Sequence, residues 1–189
     1  MDGLLLPLGF LVFLGGLYAM FYNGLIHARQ KVEEAWSGID VQLKRRYDLI
    51  PNLVNTVKGY ASHEKQTLEN ITNARATAMS VPDAETAKKA AAEGALSGAL
   101  RSLFALSENY PDLKANANFL ELQQQLAETE DQIASSRRIY NGNVTAYNVK
   151  VQSVPSNIVA NIHHFSEREF FEIPEGDREK TRETPEVSF

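Results

Sequence analysis

An uncharged stretch near the N-terminus restricts the fold more than any other feature of the sequence. Residues 3–26, GLLLPLGFLVFLGGLYAMFYNGLI, contain no charged side chain. A run of this length can cross a hydrocarbon core of about 30 Å as one helix. A cleaved signal peptide is the competing interpretation, but no basic residue precedes the run and no small-residue cleavage site ends it. The sequence therefore predicts an uncleaved transmembrane anchor over residues 1–26.

The charges that flank this stretch predict the orientation of the chain. Asp2 precedes the apolar run, whereas Arg29 and Lys31 follow it. Because basic residues concentrate on the cytoplasmic side of membrane helices, this asymmetry favours an outside N-terminus and an inside body. We therefore expect a single-pass protein whose partner is a lipid bilayer.

Helical periodicity dominates the rest of the chain, where apolar residues recur at steps of three and four. The first stripe runs from Val32 to near Ser80 and predicts one long helix, and two more helices follow over 84–108 and 119–151, the former with Asp83 as its N-cap. The segment SNIVANIHHF predicts a short fourth helix. The predicted fold class is all-α: a transmembrane helix continuing into an elongated helical bundle (27–165), followed by an acidic, mostly disordered tail (166–189).

Composition and motifs argue against several classes of function. The net charge of −5 disfavours a nucleic-acid partner, and the absence of cysteine excludes disulfides and thiolate metal sites. The segment HEKQT begins like a zinc-protease motif, but threonine stands where the second histidine is needed. No glycine-rich phosphate loop or nucleophile elbow is present. The sequence predicts no catalytic residue, no metal, no cofactor and no enzyme activity.

Polar residues form ordered stripes beside the apolar ones on the first and third long helices. We expect Arg45 or Arg46 to pair with Glu130, and Asp48 to pair with Arg137 or Arg138. Such a stripe could line a groove that binds a ligand or protein, but a network that fixes the register of the helices is favoured. Pro51 predicts a kink, or a restart with Asp48 as N-cap. The full predicted network comprises Arg45, Arg46, Asp48, Asn52, Asn55, Glu130, Arg137, Arg138 and Asn141.

Several long motifs together resemble the LemA family over residues 20–173. They are AWSGIDVQLKRRYDLIPNLVNTVKGYASHE, NYPDLKANANF and TEDQIASSRRIYNGNVTAYN, followed by VPSNIVA and EFFE. The resemblance implies a bacterial inner-membrane protein with one N-terminal span, a short outside N-terminus and a cytoplasmic, long antiparallel helical bundle. It carries no agreed catalytic residues to this chain.

The leading hypothesis from these features is a membrane-anchored helical scaffold that self-associates as a homo-oligomer. One alternative is an adaptor for a membrane protease or envelope-stress complex, with Val187 and Phe189 adding to a groove of the PDZ type. Another is an assembly that shapes the membrane, because a long helical body attached to a span could tile or bend a bilayer if it oligomerises.

Overall fold

The structure is a computed structural model that describes the backbone of residues 2–172 and the side chains of residues 8–172. Within these residues the chain forms six helices and no strand, so the predicted all-α fold class is confirmed. The helices are α1 (Asp2–Lys58), α2 (Lys65–Ser80), α3 (Thr86–Ser107), α4 (Pro111–Lys114), α5 (Ala117–Gln152) and α6 (Ser156–Ile162).

The described residues divide into two compact units. The first, which we call the anchor unit, contains residues 2–41 and 133–170, and the second, the arginine unit, contains residues 42–132 and 171–172. Helices α1 and α5 each contribute residues to both units. Nothing in the sequence indicated these boundaries, because they fall inside helices with unbroken apolar periodicity.

The first long helix was predicted to reach Ser80, and that prediction is wrong. Helix α1 ends at Lys58 and α2 begins at Lys65. The intervening turn closes through bonds from the amides of Gly59 and Ala61 to the carbonyls of Thr56 and Val57, at 3.3 and 2.8 Å. Ala61 is buried in the turn. The apolar spacing therefore continues through the break and conceals it in the sequence.

Pro51 lies inside α1, so the predicted restart with Asp48 as N-cap does not occur. Proline lacks the amide that would normally bond the carbonyl four residues earlier, here that of Tyr47. Arg75 of α2 supplies the missing donor, because its Nε donates to the Tyr47 carbonyl at 2.8 Å. The carbonyl that the proline leaves free is thus satisfied within the arginine unit.

The N-termini of α3 and α5 show different capping. Asp83 was predicted to cap α3, but Glu85 occupies the N-cap position without a side-chain capping bond. Asp83 instead pairs with Lys89 at 3.4 Å. At α5, the amide of Phe119 donates to Asn116 Oδ1 at 3.0 Å, which satisfies one of the free donors of the first turn.

Residues 166–170, which we call the strap, have no regular secondary structure and bond to α5 in the anchor unit. The hydroxyl of Tyr147 donates to the carbonyl of Ser166 at 2.9 Å. Asn148 donates to the carbonyl of Arg168 at 3.0 Å and accepts from its amide at 2.9 Å. Burial raises the pKa of Tyr147, so its hydroxyl stays protonated and can donate at neutral pH. The described start of the predicted tail is therefore held in place, and residues 173–189 lie outside the described residues.

A residue in the left-handed conformation lies just beyond the end of α6. His164 has φ 56°, its amide bonds the carbonyl of Asn161, and the amide of Phe165 bonds the carbonyl of Ala160 at 2.9 Å. These two bonds form a Schellman motif with His164 at the position that usually holds glycine. The motif ends at Phe165, which is buried.

Candidate functional site

The arginine unit is organised around Arg46, whose side chain is almost completely buried. Its Nη2 donates to Oε2 of Glu93 on α3, and its Nη1 donates to Oε2 of Glu130 on α5 at 2.5 Å. The same Nη1 donates to Ser97 Oγ at 2.9 Å. The hydroxyl of Tyr47 donates to the other oxygen of Glu93. One guanidinium therefore connects three helices.

The burial of these charges determines what the cluster contributes energetically. Glu93 is as inaccessible as Arg46, whereas the side chain of Glu130 is 47% exposed and keeps contact with water. Removing an ion from water costs several kcal/mol even after relaxation, so a buried pair is weak evidence for net stabilisation. Breaking the pair is costly, because the remaining partner becomes an uncompensated buried charge. The cluster therefore penalises arrangements in which α1 and α3 are out of register.

One nitrogen of the buried guanidinium is unsatisfied. Arg46 Nε has no hydrogen-bond partner in the structure. An unpaired buried donor costs about 1–3 kcal/mol. Both oxygens of Glu93 are occupied, by Arg46 and Tyr47.

A groove with a volume of about 370 Å³ opens beside the cluster. Arg46, Ser97 and Glu130 of the cluster contribute part of its polar surface. Ser97 Oγ donates to Glu130 Oε1 at 3.3 Å, which resembles a nucleophile and base only superficially. Glu130 already accepts from Arg46, and Ser97 Oγ accepts from the same guanidinium, so both groups serve the ion network. The remaining lining residues are Leu100, Arg101, Phe104, Gln123, Leu126 and Ala127.

A second groove, of about 520 Å³, lies where α1 ends and α2 begins. Val54 and Leu68 give it an apolar floor, and Lys58 and Lys65 are exposed at its rim. The other polar lining residues are exposed as well, and exposed side chains are strongly hydrated, so the groove offers no buried polar group that would orient a ligand. These residues are Ser62, Glu69, Thr72 and Asn73.

The structure brings together Arg46 and Glu130, one of the pairs anticipated from the sequence. It leaves Arg45, Asp48, Asn52 and Asn55 exposed on α1 rather than within the buried cluster. On α5, Arg137 and Asn141 are half-buried and Arg138 is exposed. Asp48 and the two arginines belong to different units, so their pairing stays a prediction. Val187 and Phe189 lie outside the described residues.

Sequence reasoning missed Glu93, Ser97 and Tyr47 as members of this cluster. A signal for Glu93 was available, because it lies on the face of α3 that also carries Leu96 and Leu100, and all three are buried. A carboxylate on the apolar face of an alanine-rich helix needs a cationic partner. Nothing in the sequence indicated which cation it would meet.

Comparison with known proteins agrees with the motifs. The LemA family model matches residues 35–189 of this chain. Protein LemA of Metamycoplasma hominis is 28% identical over 156 residues, which cover 80% of this chain and 70% of the relative. Two further relatives are magnetosome protein MamQ 2 of Paramagnetospirillum magneticum and magnetosome protein MamQ of Magnetospirillum gryphiswaldense. Each is 25% identical over 183 residues, which cover 84% of this chain and 67% of the relative.

Proposed function

The chain belongs to the LemA family, and on this premise we propose that it is a membrane-anchored helical scaffold that associates with further copies of itself. The proposal assigns it no catalytic residue, metal or cofactor, and the absence of enzyme activity stays a prediction.

Membrane anchoring is supported by α1 and by the relatives. Among the described residues, one helix is long and apolar enough to cross a membrane, and it is α1. Its side chains from Leu8 to Leu14 are exposed in the chain alone, including Phe10 and Phe13. Contact with acyl chains would remove this apolar surface from water. Because α1 continues without a break to Lys58, the anchor and the start of the arginine unit share one helix.

Self-association is supported mainly by the polar stripe that α1 leaves exposed. Arg45, Asp48, Asn52 and Asn55 follow one another at steps of three, four and three, the spacing of a helix–helix seam. In an interface with two-fold symmetry every contact occurs twice. Arg45 of each copy can therefore pair with Asp48 of the other copy. The stripe is thus self-complementary in charge, and its asparagines can exchange hydrogen bonds.

A charge-reversal cycle tests this interface. In liposomes containing the full chain, association can be followed by energy transfer between copies labelled at an introduced cysteine, because the native chain has none. We expect Arg45→Glu or Asp48→Arg alone to weaken association about threefold to tenfold, since each change places like charges opposite one another at both equivalent contacts. The double variant restores opposite charges and should recover most of the loss.

The control for this cycle is Lys88→Glu, which makes the same change of charge as Arg45→Glu at an exposed position on α3. It should leave association unchanged. Equal association of the wild type and both single reversals would contradict the proposed interface, and an absence of energy transfer in the wild type would contradict self-association altogether.

The proposed orientation has a cytoplasmic body, in line with Arg29 and Lys31 after the span. A single cysteine at the exposed position Ser102 reports this directly. We expect a membrane-impermeant maleimide to label it only after the cells are lysed. Labelling in intact cells would reverse the proposed orientation.

The two alternatives stay predictions. The adaptor hypothesis depends on Val187 and Phe189, outside the described residues, and deleting residues 174–189 should then change the set of co-purifying proteins. The membrane-shaping hypothesis requires rings, tubes or cages in negative-stain images of the protein with lipid.

A further inference from the structure

Helix α6 has one buried face and one exposed face. Its inner face buries Ser156, Val159 and Ala160. Its outer face carries Ile158 and Ile162, each 58% exposed, and the turn before the helix adds Val154, which is 78% exposed. Single exposed aliphatic residues are common on protein surfaces, but three of them in and beside a helix of two turns need a reason.

The position of α6 in the anchor unit provides that reason. His163, which follows α6 directly, shares a hydrogen bond of 2.5 Å with Tyr18 of α1, and its ring centroid lies 4.6 Å from that of Tyr22. Phe165 packs against Tyr22 with ring centroids 6.1 Å apart. The C-terminal end of α6 is therefore attached to α1 within the apolar stretch of residues 3–26.

The length of the apolar stretch sets the depth of this attachment. Asp2 and Tyr22 are separated by 20 residues of continuous helix, which corresponds to about 30 Å at 1.5 Å per residue. That distance equals the thickness of a typical hydrocarbon core. With Asp2 at the first boundary of the bilayer, as the proposed anchoring requires, Tyr18 and Tyr22 come near the second boundary, where aromatic belts form.

The basic residues nearby agree with this level. Lys150 donates to the carbonyl of Gly24 at 3.3 Å, and the guanidinium of Arg29 lies 5.4 Å from the ring centroid of Phe165. Arg29 follows Tyr22 by seven residues, or about 10 Å of helix, which places it just outside the headgroup layer of about 5–8 Å. The exposed apolar residues of α6 thus lie beside the span, and the charges follow just beyond it.

We propose that α6 is an interfacial membrane helix whose Ile158 and Ile162 insert into the boundary between headgroups and acyl chains. Val154 extends the same contact at the start of the helix. Interfacial helices bury their apolar face about 5–10 Å into this boundary. The membrane then holds the anchor unit at two elements, α1 and α6, which restricts rotation of the unit about the axis of the span.

Site-specific fluorescence tests the proposal in the full chain, which has no native cysteine. Ile158→Cys and Ile162→Cys would each carry an environment-sensitive NBD group in liposomes of phosphatidylcholine and phosphatidylglycerol. The matched control is Ile139→Cys, at an isoleucine of α5 with 60% exposure. It lies 11 residues before Lys150, about 16 Å further along α5.

We expect emission from positions 158 and 162 to be blue-shifted and to lose most of its intensity when the lipids carry a nitroxide near the head of the acyl chain. A nitroxide near the methyl end should quench less, and emission at position 139 should change little with either lipid. Iodide in the buffer should quench the emission at position 139 more strongly than the emission at positions 158 and 162.

Two outcomes would overturn the proposal. Emission at 158 and 162 that is quenched by iodide as strongly as at 139 would place α6 in water. Blue-shifted emission that neither iodide nor nitroxide lipid quenches would show that protein, such as a second copy of the chain, covers the patch instead of lipid.

Discussion

The anchor unit and the arginine unit are stabilised by different polar interactions. In the anchor unit, the neutral side chains of Tyr140, Tyr147 and Asn148 on α5 bond the backbone of the strap. The hydroxyl of Tyr140 donates to the carbonyl of Glu169 at 3.0 Å. In the arginine unit, buried ions bond one another. Removing one neutral side chain that bonds the backbone costs little stability. Removing one member of a buried ion pair costs more, because the remaining ion stays buried without compensation for its lost hydration. The two units should therefore differ in how they respond to single substitutions.

The largest expected effect is at Arg46. We predict that Arg46→Leu destabilises the arginine unit by about 3–5 kcal/mol, because Glu93 is left buried without its cation. The double variant Arg46→Leu, Glu93→Leu removes both charges and should recover much of this loss. Hydrogen exchange of the α3 amides measures the change. If the double variant is no more stable than the single one, the buried-charge explanation fails.

A smaller effect is expected in the anchor unit at Asn148. Asn148→Ala removes both bonds to the backbone of Arg168, so we predict a loss of about 2 kcal/mol in the attachment of the strap. Trypsin cleavage after Arg168 reports that attachment and should become faster. Thr145→Ala, which alters an exposed residue of the same helix, is the control. Unchanged cleavage in the Asn148 variant would mean that other contacts hold the strap.

Arg75 replaces the backbone donor that Pro51 removes from α1. We predict that Arg75→Leu costs the arginine unit about 1.5 kcal/mol, because the Tyr47 carbonyl loses its charged donor. In a Pro51→Ala background the helix regains its own amide donor for that carbonyl, and the cost of Arg75→Leu should shrink. Chemical denaturation of the four variants in detergent gives the coupling energy. Identical costs in the two backgrounds would separate Arg75 from the proline.

The smallest effect, and the only expected gain, is at His164. A non-glycine residue in the left-handed region costs about 1 kcal/mol or more. His164→Gly should relieve this and raise the stability of the anchor unit by up to about 1 kcal/mol, visible as a higher midpoint of thermal unfolding. His163 must be left intact, since it contacts Tyr18. A lower midpoint would show that the His164 side chain contributes more than its backbone conformation costs.

The helices were predictable from the sequence because apolar spacing, proline stops and an uncharged run are local signals. The break after Lys58 was not, because Val57, Ala61 and Leu68 keep helical spacing across the turn. The strap was predicted from its charge as the start of a mostly disordered tail, with Phe170 and Phe171 as candidates for docking. The hydrogen bonds that hold it come from α5 residues about 20–30 positions earlier in the chain, which the sequence did not indicate. Arg46 could be matched with Glu130 because both lie in polar stripes that the sequence shows. Glu93 could not be assigned to Arg46 without knowing which faces of α1 and α3 pack together.

The bonds of the strap also indicate which positions can be substituted without loss of stability. Its bonds to Tyr140, Tyr147 and Asn148 use backbone carbonyls and one amide, groups that are the same for every residue other than proline. Ser166, Glu167 and Glu169 are exposed, and these four bonds do not involve their side chains. Substitution tolerance should therefore differ between the two sides. Apart from Arg168, whose guanidinium pairs with Glu33 at 3.5 Å, the strap should accept a wide range of side chains, whereas the three α5 positions that bond its backbone should accept few.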